Sequence, residues 1–436
     1  MQKKIKKKNI VILGGGLAGL SAADYLLRNI PDKNNYNITI IEKQKILGGL
    51  ASSVPYKNTL VPRYYHHVIA NNKVTRAFLN RFNLLKGAVW KKINVAIAVN
   101  GSYSNITKPI GLLRFKYLSL YEKIRFGLFG LYTIFVMDPK KIPKNMDAKK
   151  WLYKYAGKQV AEKIFYHLYA KNKFNTSLDK ISAKQFANRL KEREVYEKFT
   201  YPPLGLQPMI DRLKEIIEEN SGTIITSTVP TKIDLNKNII EYKNKNKNTK
   251  ITADHIINTI PIPEFLKITT GLPTKYKQQL GKLKYCPAVC IIIATKDFLD
   301  KDTYWFNLFK ESAQVIIQHS VLIDKYKEKI SWVLRYGGSE EDLELSNEEV
   351  KKKYLPSIKK YFPKAEIVWS CVTRDRYGEP VYDKNYADYM PKYRTPVKNL
   401  YIAGIQATFP KIRNMNSALE SGIIVAKELI KDLIKQ

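Results

Sequence analysis

Asn9-Ile10-Val11-Ile12-Leu13-Gly14-Gly15-Gly16-Leu17-Ala18-Gly19-Leu20 reads as a short apolar strand that runs into a glycine turn and then a helix. Gly14 permits the tight turn, Gly16 lets backbone approach a pyrophosphate, and Gly19 lets the helix pack close against the strand. Free N–H groups at the helix start, near Leu17 and Ala18, suit an anion, as does the helix dipole. Working outward, Leu17, Leu20, Ala23, Leu26 and Leu27 recur at helical spacing, and Ile38-Thr39-Ile40-Ile41 reads as a second buried strand. That strand ends in Glu42 and Lys43, with Glu42 the acid expected on ribose hydroxyls. The polar turn Pro31-Asp32-Lys33-Asn34-Asn35 lengthens the gap between glycines and acid.

A chain of 436 residues that is 44% hydrophobic has room for two or three domains and a large core. Cys286, Cys290 and Cys371 form no Cys-x-x-Cys pair, which points to a reducing compartment and away from disulfides or structural zinc. The five histidines show no metal-ligand spacing, so no metal site is expected. A formal net charge of +36 invites a nucleic-acid or anionic-membrane reading. The excess is mostly lysine in surface-like runs such as Lys243-Asn244-Lys245-Asn246-Lys247, and no nucleic-acid-binding signature accompanies it, so no nucleic-acid partner is expected. The basic residues 1–8 lead straight into the first strand without an apolar signal region, and the expectation is a cytoplasmic protein.

After Glu42 comes Leu47-Gly48-Gly49-Leu50-Ala51, a second glycine turn. With it the sequence resembles the flavin-dependent amine oxidase superfamily, which includes protoporphyrinogen oxidase, phytoene desaturase and UDP-galactopyranose mutase. The resemblance implies FAD rather than NAD, held noncovalently, with Gly48, Gly49, Leu50 and Ala51 beside its pyrophosphate and flavin. It implies an α/β fold in which a Rossmann-like FAD-binding domain is interleaved with an α+β substrate domain. Leu60-Val61-Pro62-Arg63-Tyr64-Tyr65-His66-His67 stands where relatives pass a histidine turn near the flavin, which makes Arg63 a substrate contact and His66 and His67 catalytic candidates. Satisfying buried carbonyls is the other role open to the two histidines.

The same resemblance places the adenine beside Val229, at the end of the strand 223–229, and likens Arg374-Asp375-Arg376-Tyr377-Gly378-Glu379-Pro380-Val381-Tyr382 to the stretch that faces the flavin. Tyr377 and Tyr382 are then catalytic candidates and Arg374 and Arg376 substrate contacts, with surface ion pairing and core packing the alternatives. The closing segment, Asn399 to Gly404 and Met415-Asn416-Ser417-Ala418 leading a helix to Ile434, matches the last FAD motif and adds Gly404, Met415, Asn416 and Ala418 as cofactor contacts. Relatives carry an acid after that glycine, whereas this chain has Ile405-Gln406, for which Arg413 could compensate.

Residues 71–199 read as mainly helical, with a hairpin at 95–103 carrying an Asn-Gly turn. The stretch Ile110 to Met137 mixes Leu, Phe and Tyr with Arg114, Lys116, Lys123 and Arg125, a pattern of an interfacial helix, a tunnel wall or an ordinary buried helix. Residues 276–391 read as β-rich. The expected division is 1–70, 200–275 and 392–436 for FAD, and 71–199 and 276–391 for the substrate. The implied activity is hydride transfer from a small organic substrate to flavin N5. With no second GxGxxG for NAD(P)H, the electrons pass to oxygen, a quinone or a protein. The alternatives are a redox-neutral mutase acting on a nucleotide sugar, and a non-catalytic flavoprotein at a membrane surface.

Overall fold

Gly14 leaves the first strand with φ 101°, in the region that favours glycine, and a Cβ there would lie 2.7 Å from Thr259 Oγ1. The strand Lys8–Leu13 therefore passes directly into the helix Leu17–Asn29. The computed structural model describes residues 7–192, 196–244, 247–336 and 340–435. Most of the basic start, residues 1–6, and Lys245 and Asn246 of the lysine run lie outside the described residues.

Lys8–Leu13 is the centre of a five-stranded sheet in the order Thr223–Ile225, Tyr36–Ile41, Lys8–Leu13, His255–Asn258, Leu400–Ile402. Every pairing is parallel, as the continuous buried runs 10–13 and 38–41 require of strands covered on both faces. One face is covered by the first helix together with Gln207–Glu219 and the long final helix Met415–Ile434. The other face packs Val11, Leu13, Ile41 and Ile256 against Ile233, Ile240 and Phe265, which come from a small sheet containing Thr228–Asp234 and from the helix Ile262–Ile268. The strand expected over 223–229 is broken here. Ser227 takes φ 51°, and the Ser227 and Thr228 N–H groups donate to Gln44 and Glu42 carbonyls, so the chain leaves one sheet and enters the next.

The seven-stranded second sheet follows the order Ile367–Pro380, Tyr285–Thr295, Lys329–Tyr336, Val315–Gln318, Thr303–Leu308, Asn94–Val99, Ser102–Asn105. The hairpin expected in the helical stretch exists, with Asn100 and Gly101 at φ 53° and 78°, the mirror-image turn that matches strand twist. It extends the sheet of the later segment, with Asn94–Val99 parallel to Thr303–Leu308, which buries its apolar residues 95–99. The remaining insertion is mainly helical, and Leu120–Phe135 starts on a capping box between Ser119 and Glu122. Among the described residues no helix is long and apolar enough to cross a membrane.

The first and last helices meet without room for a side chain. A Cβ on Gly422 would fall 2.1 Å from the Ala18 carbonyl oxygen, and Ser21 Oγ donates to the Leu419 carbonyl at 2.9 Å. Gly422→Ala should therefore destabilise the protein by about 1–3 kcal/mol through overpacking. Gly127→Ala, in a helix where nothing lies within 4 Å of the added carbon, should gain about 0.5–1 kcal/mol. Denaturant unfolding of the two variants checks both signs.

Candidate active site

The two glycine turns stack on one another. Gly48 N–H donates to the Gly15 carbonyl at 2.8 Å, and a Cβ on Gly49 would sit 3.3 Å from the Gly16 Cα. Gly48 and Gly49 have φ 107° and 58°, so the turn is drawn in a conformation that side chains resist. Glu42 accepts from Gly15 N at 2.6 Å and from Gln44 N at 2.8 Å, and this fixes the end of the second strand to the first turn. Its carboxylate is thus already engaged by backbone, a role beyond the ribose contact expected of it.

Below these turns lies a cavity of about 360 Å³. Its walls include Glu42, Lys43, Gln44, Val229 and Pro230, then Gly14, Gly16, Leu17 and Ala18, and also Gly404, Ile405, Gln406, Met415 and Ala418. Two helices begin at this wall. The first starts at Gly16 with no side-chain cap and no acid in its first turn, and the last starts at Asn414, whose side chain accepts from Ser417 N. Gly16 meets nothing nearer than 4.0 Å on its side-chain face, so backbone is bare toward the cavity. Open N–H groups, a helix dipole and a bare glycine are what a nucleotide diphosphate needs. A flavin dinucleotide fits this lining on those grounds.

A smaller cavity of about 90 Å³ adjoins it, sharing Leu50, His66, Gly378, Arg413, Asn414 and Met415. Its own walls include Tyr64, Tyr65, His67 and Trp305, with Lys173 and Arg189 supplying charge. Burial, partly offset by the bond to the Tyr64 carbonyl, holds His66 neutral, with its pKa lowered to about 4; burial and then the neighbouring His66, Arg189 and Lys173 lower His67 to about 3. His66 Nδ1 lies 3.1 Å from the Tyr64 carbonyl and so carries the proton, which leaves Nε2 as an acceptor. His67 Nδ1 lies 3.0 Å from the Tyr304 hydroxyl. Where the cavities join, Arg413 forms an ion pair with Glu379, a buried carboxylate.

Of the residues expected to touch a cofactor, Gly14, Gly16, Leu17, Ala18, Glu42, Lys43, Gly48, Gly49, Leu50, Ala51, Val229, Gly404, Met415 and Ala418 all line the larger cavity. Gly19 does not; its missing side chain admits the Gly14 carbonyl oxygen, 2.0 Å from where a Cβ would sit. Asn416 turns away, and its Oδ1 accepts from Val74 and Thr75 N–H to cap the helix Lys73–Arg81. Arg63, His66 and Tyr377 line the larger cavity and His67 the smaller.

Arg374, Arg376 and Tyr382 are corrected. Strand alternation puts Asp375 and Tyr377 on the cavity side, while Arg374 donates to the Leu345 carbonyl and Asn347, and Arg376 pairs with Glu340 and Glu344. Tyr382 is fully buried and its hydroxyl donates to the Ile405 carbonyl at 2.9 Å. Tyr386 does the same for the Gln406 carbonyl at 2.9 Å, so two tyrosines brace the turn that replaces the acid of relatives. Gln406 spends its own amide on the Ala403 carbonyl at 2.7 Å. The sequence reading missed Lys173, Arg189 and Tyr386, which belong to no local motif, and passed over Glu379 inside the stretch 374–382 because its ion-pair partner Arg413 lies far off in the chain.

The sequence pattern of the family described as flavin containing amine oxidoreductase matches residues 17–430. Among curated proteins the chain is similar to 15-cis-phytoene desaturase of Glycine max, 22% identical over 473 residues, covering 99% of this chain and 80% of that protein. Among solved structures it shares its fold with a candidate protoporphyrinogen oxidase from Exiguobacterium sp. 255-15, at TM-score 0.78, 18% identity, 98% of this chain and 100% of that one. Reduced UDP-galactopyranose mutase follows at TM-score 0.76, 14% identity and 98% and 96% coverage. Putrescine oxidase bound to putrescine gives TM-score 0.73, 16% identity and 98% and 99% coverage.

The buried Arg413–Glu379 pair supplies a test of the junction. Glu379→Ala should cost about 3–5 kcal/mol by stranding a buried guanidinium, and the double variant with Arg413→Met should recover most of the loss. A double-mutant cycle by denaturant unfolding measures the coupling.

Proposed function

We propose, from the premise that this chain belongs to the flavin-containing amine oxidoreductase family, that it takes a hydride from an organic substrate seated in the smaller cavity. As a member it is an FAD-dependent oxidoreductase. The observation that carries the finer reading is the junction of the two cavities, where Leu50, Met415 and Gly378 form a wall common to both. A bound flavin would supply the hydride-accepting centre and, held noncovalently, would pass the electrons to oxygen, a quinone or a protein.

The chain's own residues do the rest. Gly16, Leu17 and Ala18 would hold the diphosphate, and Gly404 to Gln406 with Met415 and Ala418 would hold the ring. The N-terminus of the final helix offers oriented N–H groups for negative charge that develops on reduction, at no cost in reorganisation. Leu50, Ile412 and Ala288 exclude water from the smaller cavity, and His66 keeps an uncharged acceptor at the junction. Alignment rather than proton abstraction is what this lining provides. A nucleotide-sugar mutase is less well supported, because Arg374 and Arg376, two of the four arginines that would suit a diphosphate, turn elsewhere.

The proposed division gives 1–70, 200–275 and 392–436 to the cofactor and the rest to the substrate. All five parallel strands fall in the first set and all seven strands of the second sheet in the other. A membrane-surface role is proposed for the helical insertion. Leu120, Tyr121, Ile124, Leu128, Leu131 and Phe135 lie exposed along one helix. Residues 108–144 around it carry eight Lys and Arg against Glu122 and Asp138, and Glu122 is paired with Lys163.

Purified protein should show flavin absorbance that bleaches on anaerobic photoreduction, fast return in air marking an oxidase and slow return a dehydrogenase. Gly16→Val should keep the melting temperature of the flavin-free protein while weakening FAD binding about 100-fold or more, about 3 kcal/mol. A colourless protein that takes up no FAD would sink the reading. In flotation, the protein should travel with phosphatidylserine-containing vesicles more than with neutral ones, and Leu128→Glu with Leu131→Glu should cut the bound fraction severalfold; equal binding by that variant refutes the membrane role.

A further inference from the structure

Resting on the reading of the larger cavity as the FAD site, we infer that Tyr377 and Glu264 form a gate across its opening, which FAD parts on the way in and again on the way out. The two side chains belong to opposite walls and meet there in one hydrogen bond.

Their placement carries the inference. Both line the larger cavity, Glu264 from the helix Ile262–Ile268 beside the parallel sheet and Tyr377 from the strand Ile367–Pro380 of the second sheet. The Tyr377 hydroxyl donates to Glu264 Oε1 and so joins residues 113 positions apart. The Glu264 side chain is 39% exposed and Tyr377 is half-buried, which puts the bond where the lining meets solvent. Lys43, an exposed residue of the same lining, is near enough for its charge to act on Glu264.

The strand departs from regular pairing to present Tyr377. Cys286 pairs with Glu379 and Ala288 with Asp375, so Arg376, Tyr377 and Gly378 face Pro287 alone, which has no N–H to offer the ladder. Such bulges re-aim a side chain and gather next to active sites. Tyr377 is left outside the ladder, with its own N–H held by Asp375 Oδ1 at 2.9 Å and its ring set at 84° to that of Tyr285, 5.4 Å away. The Tyr285 hydroxyl in turn accepts from Ile262 N–H at 3.3 Å, so the second sheet also holds the start of the helix that carries Glu264.

The bond can both hold and open. Burial opposes charge on Glu264, but bonds from Lys267, at 2.8 Å, and from Tyr377, with the Lys267 and Lys43 charges, outweigh it and keep the carboxyl below its ordinary value. Burial and then Glu264 raise Tyr377, so the pair stays hydroxyl and carboxylate, a charge-assisted bond. When the hydroxyl swings away, Lys267 still pairs Glu264, and opening strands no charge.

Stopped-flow flavin fluorescence on the full chain tests the gate. Uptake is followed by mixing flavin-free protein with FAD, and release by mixing the loaded protein with an excess of an FAD-binding scavenger protein. A bond that must break in both directions slows both, so Tyr377→Phe should speed uptake and release alike by about fivefold to tenfold, and Glu264→Ala should do the same. The dissociation constant should stay within about twofold. Because the two side chains act as one bond, the double variant should be no faster than either single variant. Arg376→Gln, in the same bulge but paired outward with Glu340 and Glu344, should leave both rates unchanged. Faster release with unchanged uptake and weaker affinity would mark direct contacts to FAD and overturn the gate, as would additive effects in the double variant. Tyr377→Phe removes one hydroxyl from a half-buried site, and the melting temperature of each flavin-free variant reports that its fold is kept. A protein that takes up no FAD sinks the gate together with the reading it rests on, whereas one that takes up FAD at rates indifferent to both single variants sinks the gate alone.

Discussion

The final helix can reach the larger cavity only because nothing stands between it and the first helix. At Gly422 the backbone of one rests on the Ala18 carbonyl of the other, and Ser21 bonds across to Leu419. Gly19 serves the same purpose a layer below, against the turn at Gly14. These contacts set where both helices begin. Two positive dipole ends drawn from opposite ends of the chain therefore face one cavity, and the parallel sheet behind them fixes their distance. A side chain at either glycine would collide with backbone and push the helix start away from that wall.

Low dielectric governs the second region. Inside the fold, charges survive only when paired or when a function holds them there. Arg413 and Glu379 are paired, and the histidines have given up their protons instead. Lys173 and Arg189 line the same small volume beside Tyr65 and Trp305, and both hold contacts of their own within the protein.

The division of labour between the sheets follows from their pairing. A parallel sheet leaves its strand ends and helix starts on one edge, where a nucleotide can lie. The second sheet, antiparallel but for one pair, offers a broad face, and its strand Ile367–Pro380 runs along the cavity to bring Asp375, Tyr377 and Gly378 to the same wall. Tyr382 and Tyr386, just beyond it, hold the Ile405–Gln406 turn by its carbonyls. Two hydroxyls from behind thus brace a turn that lacks the acid of relatives.

The glycine turns, the first strand and helix, and the closing motif were legible in the sequence because their roles are local. A φ of 101° or a missing Cβ is a property of one residue and its immediate neighbours, and fourteen of the sixteen residues expected to touch the cofactor line the larger cavity. The two exceptions, Gly19 and Asn416, sit beside true lining residues and serve the helices instead. On the strand 367–380 Tyr377 faces the larger cavity while Arg374 and Arg376 do not, since a single step of register decides which side chains point there. Lys173 and Arg189 carried no motif at all. Only tertiary packing decided their place, because the turn after a π-helix, pinned to a distant sheet, and the separate helix Ala183–Lys191 bring two surface-type residues to the wall of one small cavity.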